Sequence, residues 1–267
     1  MNSKKNLKIL HITPRFYPDL GGVENVVMNL TSGLMGIGHD IHVLTTTNKK
    51  HLNGNIEIIN GIKVERIFSY SPNNAYFFSP GLGKRVREVS KQFDIIHAHG
   101  YHAFPSLHAY KNRNNKKFIL STYYHGKSHK LLRNILLKFY KKITKKMVLN
   151  SDRIVCISKA EEELLRTDFP TNNTCVIHVG TEIYDSKIKD DLKGKKRVIF
   201  MGRLEKYKNC DRVLEIIKEI PKIELDIIGS GPEIGNLQEI TKDMEIENRV
   251  FFHGFVDEGK KKEILKN

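Results

Sequence analysis

The apolar positions of this chain switch repeatedly between a strand period and a helix period. A β-branched run, KILHIT (8–13), leads into a Pro/Gly loop, PRFYPDLGG (14–22). Val23, Val26, Val27, Leu30 and Leu34 then recur at helical spacing and stop at Gly36 and Gly38, and IHVLTT (41–46) returns to a strand pattern. This is a βαβ unit with glycines after its first strand, the usual opening of a doubly wound parallel sheet. Residues 48–61, rich in Asn and Gly, read as a loop or hairpin. A strand is predicted at 62–67, a long Ser/Pro/Asn/Gly loop over 70–83 and a helix over 84–92.

The same alternation continues. DIIHAH (94–99) and FILSTYY (118–124) are strands on either side of a helix near 103–112. A long helix over 129–147 carries Leu132, Ile135, Leu136, Phe139, Ile143 and Met147 along one stripe. DRIVCIS (152–158) is a strand, and Ser158 with Glu161 forms a capping box for a helix over 159–167. CVIHV (175–179) closes the first half. The polar stretch 181–196 reads as a linker, after which the pattern restarts: strand 197–201, helix 210–220, strand 223–228, a GSGP turn, helix 233–244, strand 249–252 and a helix from about Asp257. The expectation is an α/β chain of two Rossmann-type doubly wound domains, 1–180 and 197–267, the second unusually short.

Composition narrows the class. With 39% hydrophobic and 28% charged residues the 267-residue chain can bury a core, and no apolar run approaches the 18 residues of a spanning helix. Three cysteines (Cys156, Cys175, Cys210) in no metal or paired spacing, and no signal-like apolar core near the N-terminus, point to a reducing cytoplasm. The formal net charge is +15, and residues 1–180 hold 27 Lys+Arg against 12 Asp+Glu, so the whole excess lies there. Within it, Lys127, Lys130, Arg133, Lys138, Lys141, Lys142, Lys145 and Lys146 stand without an acid between them. Such bias suggests an anionic partner. Two readings stay open for the helix that carries most of these charges. Its stripe packs on the sheet and the charges are solvated, or it is a basic amphipathic element on an anionic membrane surface, with Lys130, Arg133, Lys138, Lys141, Lys142, Lys145 and Lys146 as its contacts. A nucleic-acid partner is not expected, because no recognition motif or basic-aromatic pattern accompanies the charge.

Ligands of open α/β sheets sit beyond the carboxyl ends of the strands, which selects a few loops. Gly21 and Gly22 precede a helix N-terminus, where free N–H groups favour an anion; the plain alternative is a tight turn. Arg203 and Lys208 follow strand 197–201 and suit a diphosphate, or are surface charges. Gly229, Ser230, Gly231 and Pro232 follow the next strand and either pass close to a nucleotide or simply turn. His97, His99 and His102 alternate rather than cluster and read as packing residues. No metal spacing is present. His125 ends an apolar strand before Gly126 and is a candidate to hydrogen-bond a sugar hydroxyl.

The ordered set PRFYPDLGGVENVVMNL, GHDIHVLT, DIIHAH, YYHG, SDRIVCIS, VIHVGTE, FMGRLEKYKNCDRVLEI, DIIGSGPEIGNLQEI and VFFHGFV resembles a family-4 glycosyltransferase of the two-Rossmann-domain (GT-B) type across nearly all of the chain. The resemblance implies a retaining transfer of a sugar from a nucleotide-diphosphate donor, with no cofactor and no obligatory metal. It implies an acceptor, lipid-linked or polysaccharide, on domain 1–180 and the donor on domain 197–267. It places His125 as the active-site histidine, Gly21, Gly22, Gly180, Gly229 and Gly231 along the donor, and Arg203 with Lys208 on the leaving diphosphate. Three departures stand out: His178-Val179 where Pro-Asn is common, Ser230 where an acid is common, and an end at Asn267 before the family's pair of glutamates. The resemblance therefore predicts a second domain that is incomplete, completed by a second chain or cut short, and very weak transfer by the chain alone. The alternative is an impaired subunit that binds acceptor or partner. The expected location is cytoplasmic, peripheral at the inner face of the membrane.

Overall fold

A computed structural model describes residues 6–19, 21–72, 76–126, 131–180 and 196–266, with residues 131–135 and 266 as backbone only. The chain divides into two compact units, Met1–Thr181 and Glu182–Asn267. The stretch expected as a linker lies outside the described residues up to 195.

The first unit is built on β1 (Lys8–Thr13), β2 (Asp40–Thr47), β3 (Asn55–Ile59), β4 (Ile62–Phe68), β5 (Ile95–His99), β6 (Lys117–Ser121), β7 (Arg153–Cys156) and β8 (Thr174–Val176). They form one sheet in the order β3-β4-β2-β1-β5-β6-β7-β8, parallel except for β3 against β4. The chain winds outward from β1 in both directions, so a crevice opens beyond the carboxyl ends of β1 and β5. Both faces are covered. Leu10 and Ile12 of β1 join Ile96, Ala98, Phe118 and Leu120 in one buried cluster. Ile9 joins Ile41, Val43, Ile62, Val64 and Val27 in another. The helices on these faces are α1 (Gly22–Gly36), α2 (Pro80–Val89), α3 (Phe104–Lys111), α4 (Leu131–Leu149) and α5 (Lys159–Asp168).

Several boundaries differ from the sequence pattern for local reasons. The 48–61 segment is a hairpin: β3 and β4 turn through Asn60 (φ 50°) and Gly61 (φ 80°), and both left-handed positions suit Asn-Gly. Helix α2 starts at Pro80, not 84, because Ser79 Oγ accepts the Leu82 N–H and Pro80 occupies the first turn. Strand β6 ends at Ser121, three residues before the expected 124, since Tyr123 takes a left-handed φ of 47°.

The second unit contains β9 (Lys196–Met201), α6 (Cys210–Glu219), β10 (Ile223–Ile228), α7 (Ile234–Asp243), β11 (Val250–Gly254) and α8 (Glu258–Lys266). Its sheet is parallel, in the order β11-β10-β9. Leu214, Ile217, Leu237 and Ile246 pack on Leu225, Ile227 and Val250. At Asp226, buried on β10, one carboxylate oxygen faces His253 Nε2 at 2.6 Å and the other lies 3.5 Å from Arg197 Nη1.

One correction concerns the histidines. His97 and His99 alternate along β5, but on one face, and the parallel register sets His11 of β1 beside His97. The three rings are buried together. His11 Nδ1 and His99 Nε2 are 2.9 Å apart, and His97 Nε2 is 2.8 Å from Ser121 Oγ. Their ligand atoms lie within 4.8 Å of one another, close enough to consider a shared metal ion. Yet the His11 and His99 centroids are 5.2 Å apart with planes 16° off parallel, which puts both nitrogens nearly on the line between the centroids. That is the geometry of a hydrogen bond, in which one ring must donate and the other accept.

Burial holds these rings neutral. It lowers the pKa of His97 to about 4 and those of His11 and His99 well below 6.5; it also lowers His42 to about 4. An unfolded histidine takes its proton near pH 6.5, so between about pH 6.5 and 4 the unfolded state binds more protons. Stability then falls as pH falls, by about 1.4 kcal/mol per pH unit for each such group. Thermal unfolding followed by circular dichroism is expected to show a steep loss of Tm from pH 7 to pH 5, with a shallower slope in His97→Gln.

Candidate functional site

In the first unit the chemistry gathers where β1, β5, β6 and β7 end. Gly21, in extended conformation (φ −177°), precedes α1, and Gly22 is its first residue. A Cβ on Gly21 would lie 2.3 Å from Glu24 Oε2, whereas one on Gly22 would meet nothing within 4 Å. Glu24 is buried in the first turn of α1, where a carboxylate suits the helix dipole, and Arg15 Nε binds its Oε1 at 2.9 Å. This Arg15–Glu24 pair was not singled out in the sequence.

His125 is exposed, on the loop after β6. Its backbone N–H approaches His102 Nε2 at 3.5 Å, and the two rings lie 3.9 Å apart. His102 also stacks on Tyr124, with planes 5° apart. Burial, with smaller contributions from His125 and Lys141, lowers the His102 pKa to about 3, so it stays an uncharged acceptor behind His125. Tyr123, His125, Ile157, Glu161 and Leu164 line an open hollow of about 440 Å³. Glu161 was read from sequence as a capping residue. Ser158 Oγ does accept the Glu161 N–H, but the Glu161 carboxylate does not return to the cap. It accepts instead from Thr122 Oγ1, Tyr124 N–H and Ile157 N–H, each at 2.6 Å.

A second cavity of about 220 Å³ lies beyond β1, β2 and β4, with Arg15, Thr47, Asn48, Asn55, Arg66 and Ser69 on its wall. Arg66 is buried, donating through Nε to Glu57 Oε1 at 2.6 Å and through Nη2 to the Tyr17 carbonyl. Its residues come from four separate segments, so no motif announced it.

Helix α4 divides its charges. Lys141 Nζ is 2.6 Å from Asp168 Oδ2, which also accepts the Tyr124 hydroxyl at 2.5 Å, so Lys141 is not the free surface cation that the sequence suggested. Lys138, Lys142, Lys145 and Lys146 are exposed. Lys130 lies outside the described residues, and the Arg133 side chain is not described. The apolar stripe is also split: Met147 is buried, but Leu136, Phe139 and Ile143 are 50%, 61% and 54% exposed.

In the second unit Arg203 follows β9 and is 69% exposed, with Nη2 on Glu205 Oε1 at 2.6 Å. Lys208 closes a 3-10 turn, its Nζ 5.3 Å from the Tyr207 ring centre. The two loops are stitched backbone to backbone. Gly202 N–H donates to the Ile228 carbonyl, Leu204 N–H to Ser230 and Glu233 N–H to Leu204. A Cβ on Gly229 (φ +136°) would sit 1.9 Å from the Gly202 oxygen, and one on Gly231 2.2 Å from the Leu204 oxygen. Close packing of backbone on backbone accounts for both glycines, and it fixes the loop from which Arg203 projects. Gly180, the last described residue of the first unit, has open space at its Cβ.

The family model "Glycosyltransferase Family 4" matches residues 20–183, and "Glycosyl transferases group 1" matches residues 184–267. The chain belongs to glycosyltransferase family 4. Among the relatives of this family-4 chain is the GPI3 subunit of phosphatidylinositol N-acetylglucosaminyltransferase from Saccharomyces cerevisiae. It is 25% identical over 94% of this chain and 59% of that protein. The alpha-monoglucosyldiacylglycerol synthase of Streptococcus pneumoniae is also 25% identical, over 94% of this chain and 62% of its own length. The chain thus spans about three-fifths of these curated relatives. Solved structures share the fold: sucrose-phosphate synthase from Thermosynechococcus elongatus has a TM-score of 0.73 at 17% identity, covering 98% of this chain and 73% of that one. HepE from Anabaena, a structure with UDP and glucose, has a TM-score of 0.68 at 17% identity over 94% of this chain and 70% of that one. The fold class is α/β of the GT-B type.

Two glycine substitutions separate packing from open space. Gly229→Ala is expected to destabilise the second unit by at least about 2 kcal/mol, from the backbone clash and the positive φ. Gly22→Ala is expected to change stability by less than about 1 kcal/mol. Urea unfolding of the two variants, compared at equal m-value, measures both.

Proposed function

We propose that this chain supplies a retaining glycosyl transfer, in which a sugar passes from a nucleotide-diphosphate donor to an acceptor held by the first unit. The observation that carries this reading is Arg203. A guanidinium, always charged and able to bind two phosphate oxygens at once, projects from a loop that backbone bonds and two clash-limited glycines hold still. Fixed positive charge placed where a leaving diphosphate gathers negative charge needs no reorganisation during reaction. Lys208 adds an ammonium on the next turn, and diphosphate binding exchanges Glu205 for phosphate at Arg203. On the first unit, His125 offers a ring to a sugar hydroxyl, and the uncharged His102 behind it accepts the His125 backbone N–H and packs against its ring. No metal enters this proposal.

The acceptor is proposed to be lipid-linked, reached from the inner face of a membrane. Leu136, Phe139 and Ile143 form an exposed stripe on α4, flanked by Lys138, Lys142, Lys145 and Lys146. Apolar insertion plus about 1 kcal/mol for each cation near anionic headgroups favours a peripheral position. No helix among the described residues is long and apolar enough to cross a membrane. The names of two relatives, a phosphatidylinositol N-acetylglucosaminyltransferase subunit and a glucosyldiacylglycerol synthase, accord with a lipid acceptor.

Isothermal titration with UDP and GDP tests the donor side. One of the two is expected to bind, with affinity reduced about tenfold or more in Arg203→Ala and only partly restored in Arg203→Lys, which keeps charge but loses the fork. Affinity unchanged in Arg203→Ala refutes the assignment. Flotation with phosphatidylserine vesicles tests the membrane side: binding is expected at low salt, weakened by high salt and by Phe139→Ser or Lys142→Glu.

A further inference from the structure

The loop between β6 and α4 contains a residue in a conformation that needs an outside hold. Tyr123 has a φ of 47°, left-handed for a bulky L-residue and intrinsically unfavourable. Such a residue persists only where its surroundings over-determine it. Its two neighbours in sequence are both gripped by one side chain: Thr122 Oγ1 and Tyr124 N–H donate to the same oxygen of Glu161, each at 2.6 Å. The other oxygen takes the Ile157 N–H at 2.6 Å, which ties the end of β6 to the end of β7. Glu161 is buried and sits at the start of α5, where the helix dipole favours a carboxylate. Two residues after Tyr123 is His125, its ring 3.9 Å from His102.

We propose that Glu161 is a positioning residue for the site: its carboxylate latches the left-handed turn at Tyr123 and thereby sets where His125 stands. This rests on the reading of His125 as part of a transferase site, but the latch itself is independent of any donor. The chemistry demands a carboxylate. All three partners donate, and an ionised carboxylate accepts at both oxygens, whereas an amide accepts at one only. In Glu161→Gln the carbonyl keeps two of the donors while the NH2 group meets the Ile157 N–H, donor against donor. The side-chain tie between the β6 end and the β7 end is thereby broken without loss of side-chain volume, while the Thr122 N–H still donates to the Val155 carbonyl.

The experiment is carbon-proton NMR of the histidine ring Cε1–H signals in the 267-residue chain, wild type against Glu161→Gln and Thr122→Val. Expected are displaced signals for His125 and His102 in Glu161→Gln, and smaller displacements in the same direction in Thr122→Val. His11, His97 and His99 report the body of the sheet and are expected to stay in place. UDP or GDP affinity, assigned to the Arg203 loop of the second unit, is expected to stay within about twofold, since the latch shares no residue with that loop. Unmoved His125 and His102 signals in a Glu161→Gln protein whose sheet histidines are intact overturn the latch. Displacement of all five histidines in both variants overturns it too, since Glu161 is then a general packing residue. If neither nucleotide binds to wild type, the donor reading fails while the NMR comparison still decides the latch.

Discussion

A parallel sheet covered on both faces leaves its strands no polar outlet along their length, because helices seal each side and neighbouring strands consume the backbone groups. What polar chemistry the unit carries must therefore emerge where the strands end, or be satisfied internally. Both outcomes occur in the first unit. His11 and His99 bond each other and His97 meets Ser121 inside the unit, where burial keeps the three imidazoles uncharged. Beyond the carboxyl ends of β6 and β7, Tyr123, Glu161 and His125 line the open hollow. A half-buried neutral histidine and an exposed one can be close neighbours: the His102 and His125 rings are 3.9 Å apart.

The second unit builds its rim by different means. Here the polar group is delivered by backbone rather than by a buried carboxylate. Gly229 and Gly231 allow one loop to lie against another at a spacing that no side chain permits, and the Leu204 N–H and carbonyl and the Ser230 carbonyl are satisfied in the contact. The first unit instead uses Glu161 and the Arg15–Glu24 pair, two partly hidden ionic devices, to bind loop to loop. Each makes a rigid rim from segments that are distant in sequence, and each leaves one cation or imidazole projecting from it.

The fold was legible because hydrophobic periodicity is a local property. Strands β1, β5 and β10 and helices α1 and α6 could be placed within a residue or two from the spacing of Val, Ile and Leu alone. Helix α2 started earlier than expected because the Ser79 cap and Pro80 outweighed the glycines at 81 and 83. Candidate residues could be nominated where one residue type at a strand end carries its own meaning, as at Arg203 and His125. They were hidden where meaning arises from partners elsewhere in the chain. Glu161 has the spacing of a capping box, and only the nearness of Thr122 and Tyr124 shows how its carboxylate is used. Lys141 looked like any other lysine of its helix until Asp168 stood beside it. The histidines of β5 looked scattered because the third member of their group comes from β1.

The stitching of the 202–204 and 229–231 loops has a consequence for the history of the chain. Two segments that share carbonyls and N–H groups at such close range cannot drift separately. An insertion in one unseats the other, and a side chain gained at Gly229 or Gly231 requires a matching retreat at Gly202 or Leu204. The pair behaves as a single mechanical unit, in which the side chain at Arg203 can be exchanged without disturbing the backbone contact that its neighbours make.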